Sequence, residues 1–214
     1  MRIDSVRKFC NFGSQPVYPI NFKMMRRDGN FSLLKGNFSK ISLYDQGDYV
    51  ALEKAASLWD DITLGNVCYI KSIVSDFKNP KPYMDYYITE TRTPTDDLYS
   101  RLTSVVEVTN PQIPDKDFFS IFYVQSAPVN SYFSRILPLK GAGELAIYGA
   151  VKLAKENGFK KVSLFSSNNA FYDKIGMPRI KKYNEQIFTT PYLLKEEDYD
   201  KFMGNIERKY SLNA

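Results

Sequence analysis

The chain has 214 residues, 43% of them hydrophobic and 15% aromatic, enough for one packed core and too few to demand a second domain. It contains no histidine and only two cysteines, Cys10 and Cys68. That excludes Ser-His-Asp and Cys-His catalysis, histidine-based zinc motifs, haem ligation by histidine and a four-thiolate zinc site, so no metal is expected. The net charge of +5 is local, because the first forty residues carry eight Lys or Arg against two Asp and the remainder sums to −1.

The basic residues Arg2, Arg7, Lys8, Lys23, Arg26 and Arg27 are scattered rather than blocked, which predicts a solvated surface rather than a nucleic-acid site. No run of 18 apolar residues occurs, and the N-terminal MRIDSVRKFCNFGSQP lacks the uninterrupted apolar stretch of a secretory signal. A soluble, cytoplasmic protein without membrane insertion is the expectation, and two cysteines fit a reducing compartment.

Residues 1–30, punctuated by Pro16, Pro19 and Gly29, read as an irregular basic arm laid on a single domain of residues 31–214. Asn30 to Leu43 predicts one or two short strands. Asp48 is placed to cap a first helix in which Leu52, Ala55, Ala56 and Trp59 recur at helical spacing. Val67, Ile70, Ile73, Val74 and Phe77 predict a second, ended by Asn79-Pro80.

Three β-type runs follow, Tyr83 to Arg92, Arg101 to Thr109 and Phe118 to Ala127, and an antiparallel meander joins them most simply. In the middle run, alternation sets Leu102, Ser104, Val106 and Val108 on one face and Arg101, Thr103, Val105 and Glu107 on the other. After a polar loop, a Gly-Ala-Gly turn opens a helix that closes at Asn157-Gly158. A strand from Lys161 to Phe165 and a short helix from Phe171 to Ile175 come next. Strands around Ile180–Tyr183 and Ile187–Leu194 precede a last helix, Glu196 to Tyr210, with Tyr199, Phe202, Met203, Ile206 and Tyr210 on one face. The whole predicts an α/β (α+β) domain with a mixed, mostly antiparallel central sheet flanked by helices.

The chemistry concentrates between Leu137 and Met177. Gly141 and Gly143 stand just before an amphipathic helix, where free backbone N–H groups and the helix dipole favour an anion such as a pyrophosphate. GAGELA also satisfies the dinucleotide fingerprint G-x-G-x-x-[G/A], but that motif needs an apolar strand entering the first glycine and an acid ending the next strand. This chain has Pro138 inside the first and Phe165-Ser166-Ser167-Asn168 at the second, so the dinucleotide reading fails.

LPLKGAGELAIYGAVKLAKENG, then VSLF, then NNAFYDKIGM together resemble the GNAT superfamily of acyl-coenzyme A-dependent N-acyltransferases. The specific matches are Gly141-x-Gly143 opening a helix with Leu145, the strand Val162 to Phe165, and Phe171-Tyr172-Asp173-Lys174-Ile175-Gly176-Met177; Gln125-Ser126-Ala127-Pro128 resembles the end of the superfamily's fourth strand. The resemblance is strong over residues 118–180 and agrees in element order before them.

It implies an acetyltransferase with acetyl-CoA as the donor substrate, bound in a V-shaped cleft. The pantetheine would pair with backbone near Gln125, Ser126 and Ala127, and the pyrophosphate would rest on the amides of Lys140, Gly141, Ala142, Gly143 and Glu144. A primary amine of a small molecule or a protein would attack directly, with Tyr172 protonating the departing thiolate. Asn168 or Asn169 would hydrogen-bond the pantetheine or cap a helix. Glu107 is the candidate general base, acting through water, with Glu90 the second choice.

Three departures from the superfamily's pattern stand out. Pro138 occupies the place of a phosphate-binding Gln or Arg, the loop from Pro128 to Lys140 is long, and Glu144 sits beside the phosphate site. The long loop, with the absence of any acid between Asp117 and Glu144 on or near the fourth strand, keeps a second reading open, a catalytically inactive coenzyme A-binding or protein-interaction module with the same fold.

Overall fold

The structure, a computed structural model, describes residues 14–63, 69–92, 101–128, 139–180 and 189–212. Strands β1 (Gln15–Met25) and β2 (Phe31–Lys40) form a long antiparallel hairpin. Its turn is fixed by the Arg26 N–H donating to the Asn30 carbonyl at 2.8 Å and by the Asp28 carboxylate accepting from the Asn30 amide at 2.9 Å. The irregular arm expected over residues 1–30 is therefore corrected from residue 15 onward, while residues 1–13 lie outside the described residues. Pro16 and Pro19 argued against a strand, yet β1 is paired on its outer side only at Lys23 and Met24, and a missing N–H costs nothing on the open part of that edge.

Helices α1 (Gln46–Thr63) and α2 (Tyr69–Asp76) follow. Asp48 was the expected cap of α1, but Asp45 does that work, accepting from the Asp48 N–H at 3.0 Å. The Asp48 carboxylate instead accepts from the amides of Ser14 at 3.1 Å and Ser42 at 2.9 Å. It thereby ties the start of β1 and the end of β2 to the helix.

Strands β3 (Met84–Thr91), β4 (Leu102–Thr109) and β5 (Phe119–Ser126) form the expected antiparallel meander. A two-residue strand, β6 (Leu139–Lys140), then pairs with β1 and leads into α3 (Ala142–Glu156). Strand β7 (Lys161–Ser166), helix α4 (Asn169–Ile175), strand β8 (Thr190–Lys195) and helix α5 (Tyr199–Tyr210) complete the chain. A single turn of 3-10 helix, Glu196–Asp198, precedes α5. The expected strand at Ile180–Tyr183 falls mostly outside the described residues; Arg179 just before it makes an isolated bridge to Tyr192.

The strands form one eight-stranded sheet in the order β6-β1-β2-β3-β4-β5-β7-β8, antiparallel throughout except between β5 and β7. Helices α3 and α5 cover one face, where Phe22, Phe38, Val106, Phe119, Leu145, Ile147, Phe202 and Tyr210 share a core. Helices α1 and α2 cover the other over Leu52, Trp59, Ile70, Tyr86, Ile88 and Val105. Leu102 belongs to this second core, not to the face of Val106 and Val108. The register between β3 and β4 slips at Glu90–Leu102, and one extra residue in a strand inverts the facing of whatever lies beyond it.

Candidate active site

Strands β5 and β7 run parallel but are joined by only two residue pairs, Phe119–Val162 and Ser120–Ser163. Beyond them β7 stays paired with β8 along its whole length, while β5 stays with β4. A register shift opposite Glu107 and Val108 leaves Phe122 as an extra residue in β5, which bends the strand where it leaves its parallel partner. The result is a V opening toward Ser126 on one side and Ser166 on the other.

The backbone at the end of β5 has a definite polarity. The Ala127 N–H donates to the Thr103 carbonyl at 2.8 Å, and Ser126 stands opposite Ser104. In an antiparallel ladder this register turns the N–H groups of Ser126 and Val124 away from β4, into the V. Of the three residues expected to meet the pantetheine, Ser126 presents its backbone to the open side, whereas Gln125 and Ala127 use theirs against β4. The Gln125 side chain is also engaged, its Oε1 accepting from the Ile70 amide near the start of α2 at 3.1 Å.

Helix α3 starts at the mouth of the V. Gly141 at its N-cap has φ of 105°, a left-handed conformation that suits glycine, and no side chain caps the helix. Tyr210 closes over it, so that a Cβ at Gly141 would lie 2.5 Å from the ring. The N–H groups of Ala142, Gly143 and Glu144 consequently begin the helix without intrahelical acceptors. Gly143 faces the cleft, where a Cβ would come within 3.2 Å of Ser126 Oγ and 3.3 Å of the Phe171 ring. The absent side chain lets the start of α3 pack this close to β5 and α4, and its free amides there form the cradle that a phosphate can approach.

Glu144 is turned away from this cradle. Its carboxylate accepts from Lys209 Nζ at 2.8 and 2.5 Å and from the Tyr210 hydroxyl at 2.9 Å. The acid that threatened to repel a phosphate is thus neutralised by α5, and burial beside that carboxylate pushes the Tyr210 phenol well above its ordinary range. The spacing of the last helix marked Tyr210 as a core residue, but nothing in it announced the bond to Glu144. Lys140 aims its ammonium at the Phe31 ring, 4.6 Å from the centroid.

Helix α4 forms the other wall. The Asn168 side chain caps it, accepting from the Phe171 amide at 3.3 Å, and Asn169 Oδ1 accepts from the Tyr192 hydroxyl at 3.0 Å. Of the two roles weighed for these asparagines, Asn168 performs the capping one. Of the two adjacent aromatics, Tyr172 is 8% exposed and part of the core, while Phe171 lies against it edge-on at the mouth. Burial, with a smaller contribution from neighbouring Tyr192, pushes the Tyr172 phenol up to about 12. Among the described residues its hydroxyl makes no hydrogen bond, so it carries at neutral pH a proton that none of them accepts.

Glu107 stands opposite Tyr123, beside the bulge, but one strand away from the V and on the face covered by α1 and α2. It is 1% exposed, and neither carboxylate oxygen has a hydrogen-bond partner among the described residues. Burial raises its pKa, the Lys81 ammonium opposes that shift, and Asp76 adds to it. Glu90 is also buried, accepting from Ser39 Oγ at 2.9 Å; burial raises its pKa against the lowering by Ser39, Arg101 and Arg92. Among the described residues no cluster of three or more His, Cys, Asp or Glu could hold a metal ion.

Solved structures with this architecture are found among acetyltransferases. A GNAT-family protein of Desulfovibrio desulfuricans superposes with a TM-score of 0.52 at 11% identity, covering 75% of this chain and 99% of its own. Mutant forms of the spermidine/spermine N-acetyltransferase SpeG of Vibrio cholerae superpose with a TM-score of 0.51 at 9% identity, covering 78% of this chain and 96% of theirs. The chain has the GNAT acetyltransferase fold. No protein-family model and no curated protein matches the sequence. At such identities the likeness concerns the fold, and within that GNAT fold the splayed β5–β7 pair and the glycine-opened α3 occupy the stretch singled out by its motifs.

Proposed function

We propose that the protein is an acyl-coenzyme A-dependent N-acyltransferase, moving an acyl group, acetyl in the simplest case, to a primary amine of a small molecule or a protein. The observation that carries this reading is the conjunction of the V between β5 and β7 with the uncapped, glycine-lined start of α3 at its mouth. The residues present fit the donor. The amides of Ala142, Gly143 and Glu144 would hold its pyrophosphate, and the outward N–H groups of Val124 and Ser126 would pair with the pantetheine. The bound thioester supplies the activated acyl carbon. Tyr172, protonated at neutral pH, would deliver a proton to the sulfur as the new amide forms. Glu107 would draw a proton from the incoming amine through water from the α1–α2 side. The SpeG neighbours are named for polyamine acetylation, which supports an amine acceptor without specifying one.

A second reading, a coenzyme A-binding module without turnover, is favoured by one observation, the burial of Glu107 beneath α2. Two measurements separate them. Calorimetry with acetyl-CoA is expected to show saturable binding that Gly143→Val weakens at least about a hundredfold, because the added methyls fill the cradle. Absence of saturable binding in the wild type removes both readings. A thiol-release assay over an amine panel that includes spermidine is then expected to show turnover, with kcat lowered about ten- to a hundredfold in Tyr172→Phe at unchanged donor affinity. Binding without turnover on any amine leaves the second reading, and turnover indifferent to Tyr172→Phe removes the proton donor.

A further inference from the structure

Helices α1 and α2 cover only part of their face of the sheet. Over the outer half of the β1–β2 hairpin only the end of α5 reaches that face among the described residues, the Tyr210 ring lying 5.7 Å from the Lys23 ammonium, and the cross-strand pairs there are Met25–Phe31 and Lys23–Leu33. Met25 is 43%, Phe31 45% and Leu33 49% exposed, three adjacent large apolar side chains in water. Lys23, Lys35 and Lys140 alternate with them, and Arg26 and Arg27 stand exposed at the turn.

The charge of this region is strongly positive, five cations against the single carboxylate of Asp28. Among the described residues, none of these five cations makes a salt bridge, and Lys140 rests its ammonium on the Phe31 ring instead. The one acid of the turn, Asp28, is occupied by Asn30, to whose amide it is bonded at 2.9 Å. This is where much of the surplus charge of the first forty residues is gathered, and it is interleaved with apolar surface rather than separated from it.

A partner for such a face must offer negative charge and an apolar interior together. An added peptide strand cannot reach the hairpin through its edge at Lys23 and Met24, because β6 already pairs there. The surface is a sheet face rather than a groove, and the two cavities described, lined by residues such as Lys40, Tyr44, Tyr49 and Asn110, lie elsewhere. We propose that the outer face of the β1–β2 hairpin docks on an anionic lipid bilayer, the lysines and arginines meeting headgroups while Met25, Phe31 and Leu33 enter the headgroup–acyl boundary. Docking of this kind inserts no helix, and no described helix is long and apolar enough to cross a membrane. Because β6 on this hairpin leads directly into α3, a docked protein holds the mouth of the V beside the lipid surface.

Vesicle co-sedimentation of the full chain tests this. Vesicles of phosphatidylcholine with about one-third phosphatidylglycerol are expected to bind at least about tenfold more tightly than pure phosphatidylcholine, the difference shrinking as salt is raised toward 0.5 M. Arg27→Glu/Lys35→Glu is expected to abolish the preference, and Phe31→Ser/Leu33→Ser to weaken binding about tenfold at unchanged melting temperature, since both side chains are half-exposed. Equal binding to both vesicle types, or none, overturns the proposal. So does preferential capture by an acidic peptide or a nucleic acid at the same salt, or a dimer in sedimentation velocity that Phe31→Ser/Leu33→Ser dissolves.

Discussion

The two faces of the sheet solve the same packing problem with different materials. Under α3 and α5 the interior is nearly all apolar and aromatic, and its one buried acid among the described residues, Glu144, has three hydrogen bonds. Under α1 and α2 a smaller core shares its volume with Asp48, Asp76, Glu90 and Glu107, all under 9% exposed. Tyr86 bonds Asp76 at 2.5 Å and Ser39 bonds Glu90, but Glu107 has no hydrogen-bond partner among the described residues. The first face sets the helix that carries the proposed donor cradle. The second retains charged groups that a purely structural face would lack, because an ionised carboxylate buried without partners is costly.

The largest expected effect lies in the first face. Phe38 is fully buried, stacked on Tyr87 at 5.0 Å and Tyr18 at 5.9 Å, with α3 resting on it. Phe38→Ala should cost about 4 kcal/mol in urea unfolding, and a loss under about 2 kcal/mol would mean that this face yields as easily as an ordinary core. Gly149 tests the same contact from the helix side, since a Cβ there would lie 2.4 Å from the Phe38 ring. Gly149→Ala is expected to destabilise by about 2 kcal/mol despite the better helix propensity of alanine, and Phe38→Leu in the same chain should return part of that loss. Simple additivity of the two changes would show that they do not share the contact.

How much of this was legible in the sequence follows the same division. The helix from Ala142, its left-handed glycine ending at Gly158 with φ of 74°, and the meander β3–β5 could be read because local spacing and turn chemistry agree with the tertiary result. β1 was hidden because its two prolines contradict a strand anywhere except at an edge, and edge position is set by partners far away in the chain. β6 and its pairing with β1 were invisible for that reason too. At the site, glycine spacing exposed the cradle, but the orientation of Glu144 depends on Lys209 and Tyr210, 65 and 66 residues away. The division of Phe171 and Tyr172 between mouth and core depends on which of two adjacent aromatics finds Tyr192, and neighbouring positions carry no signal of that kind.

The charged face gives the next effect. Glu107→Gln removes a carboxylate whose charged form burial disfavours, so the variant should be more stable than wild type at pH 8. The advantage should vanish at acid pH, where the wild-type carboxyl is also neutral. Thermal unfolding across pH reads this directly. A gain in stability accompanied by loss of turnover would mark Glu107 as a group kept for chemistry against the interest of the fold. A pH-independent difference would reduce it to a packing residue.

Asp48 provides the cleanest sign. It is fully buried and accepts two backbone amides, yet burial outweighs those bonds and raises its pKa to about 6. In the unfolded chain an aspartate titrates near about 4, so between the two values the folded state holds a proton that the unfolded state has released. Unfolding then liberates a proton, and stability must fall as pH rises from about 4 to about 6 and stay level above that window. The contribution should be on the order of 3 kcal/mol, and comparison with Asp48→Asn isolates it from every other titrating group. The wild-type minus variant difference is expected to decline through that window and then flatten. A difference that rises instead would mean that the amides of Ser14 and Ser42 prevail over burial, making Asp48 a stabilised anion and the two faces of the sheet more alike than their composition suggests.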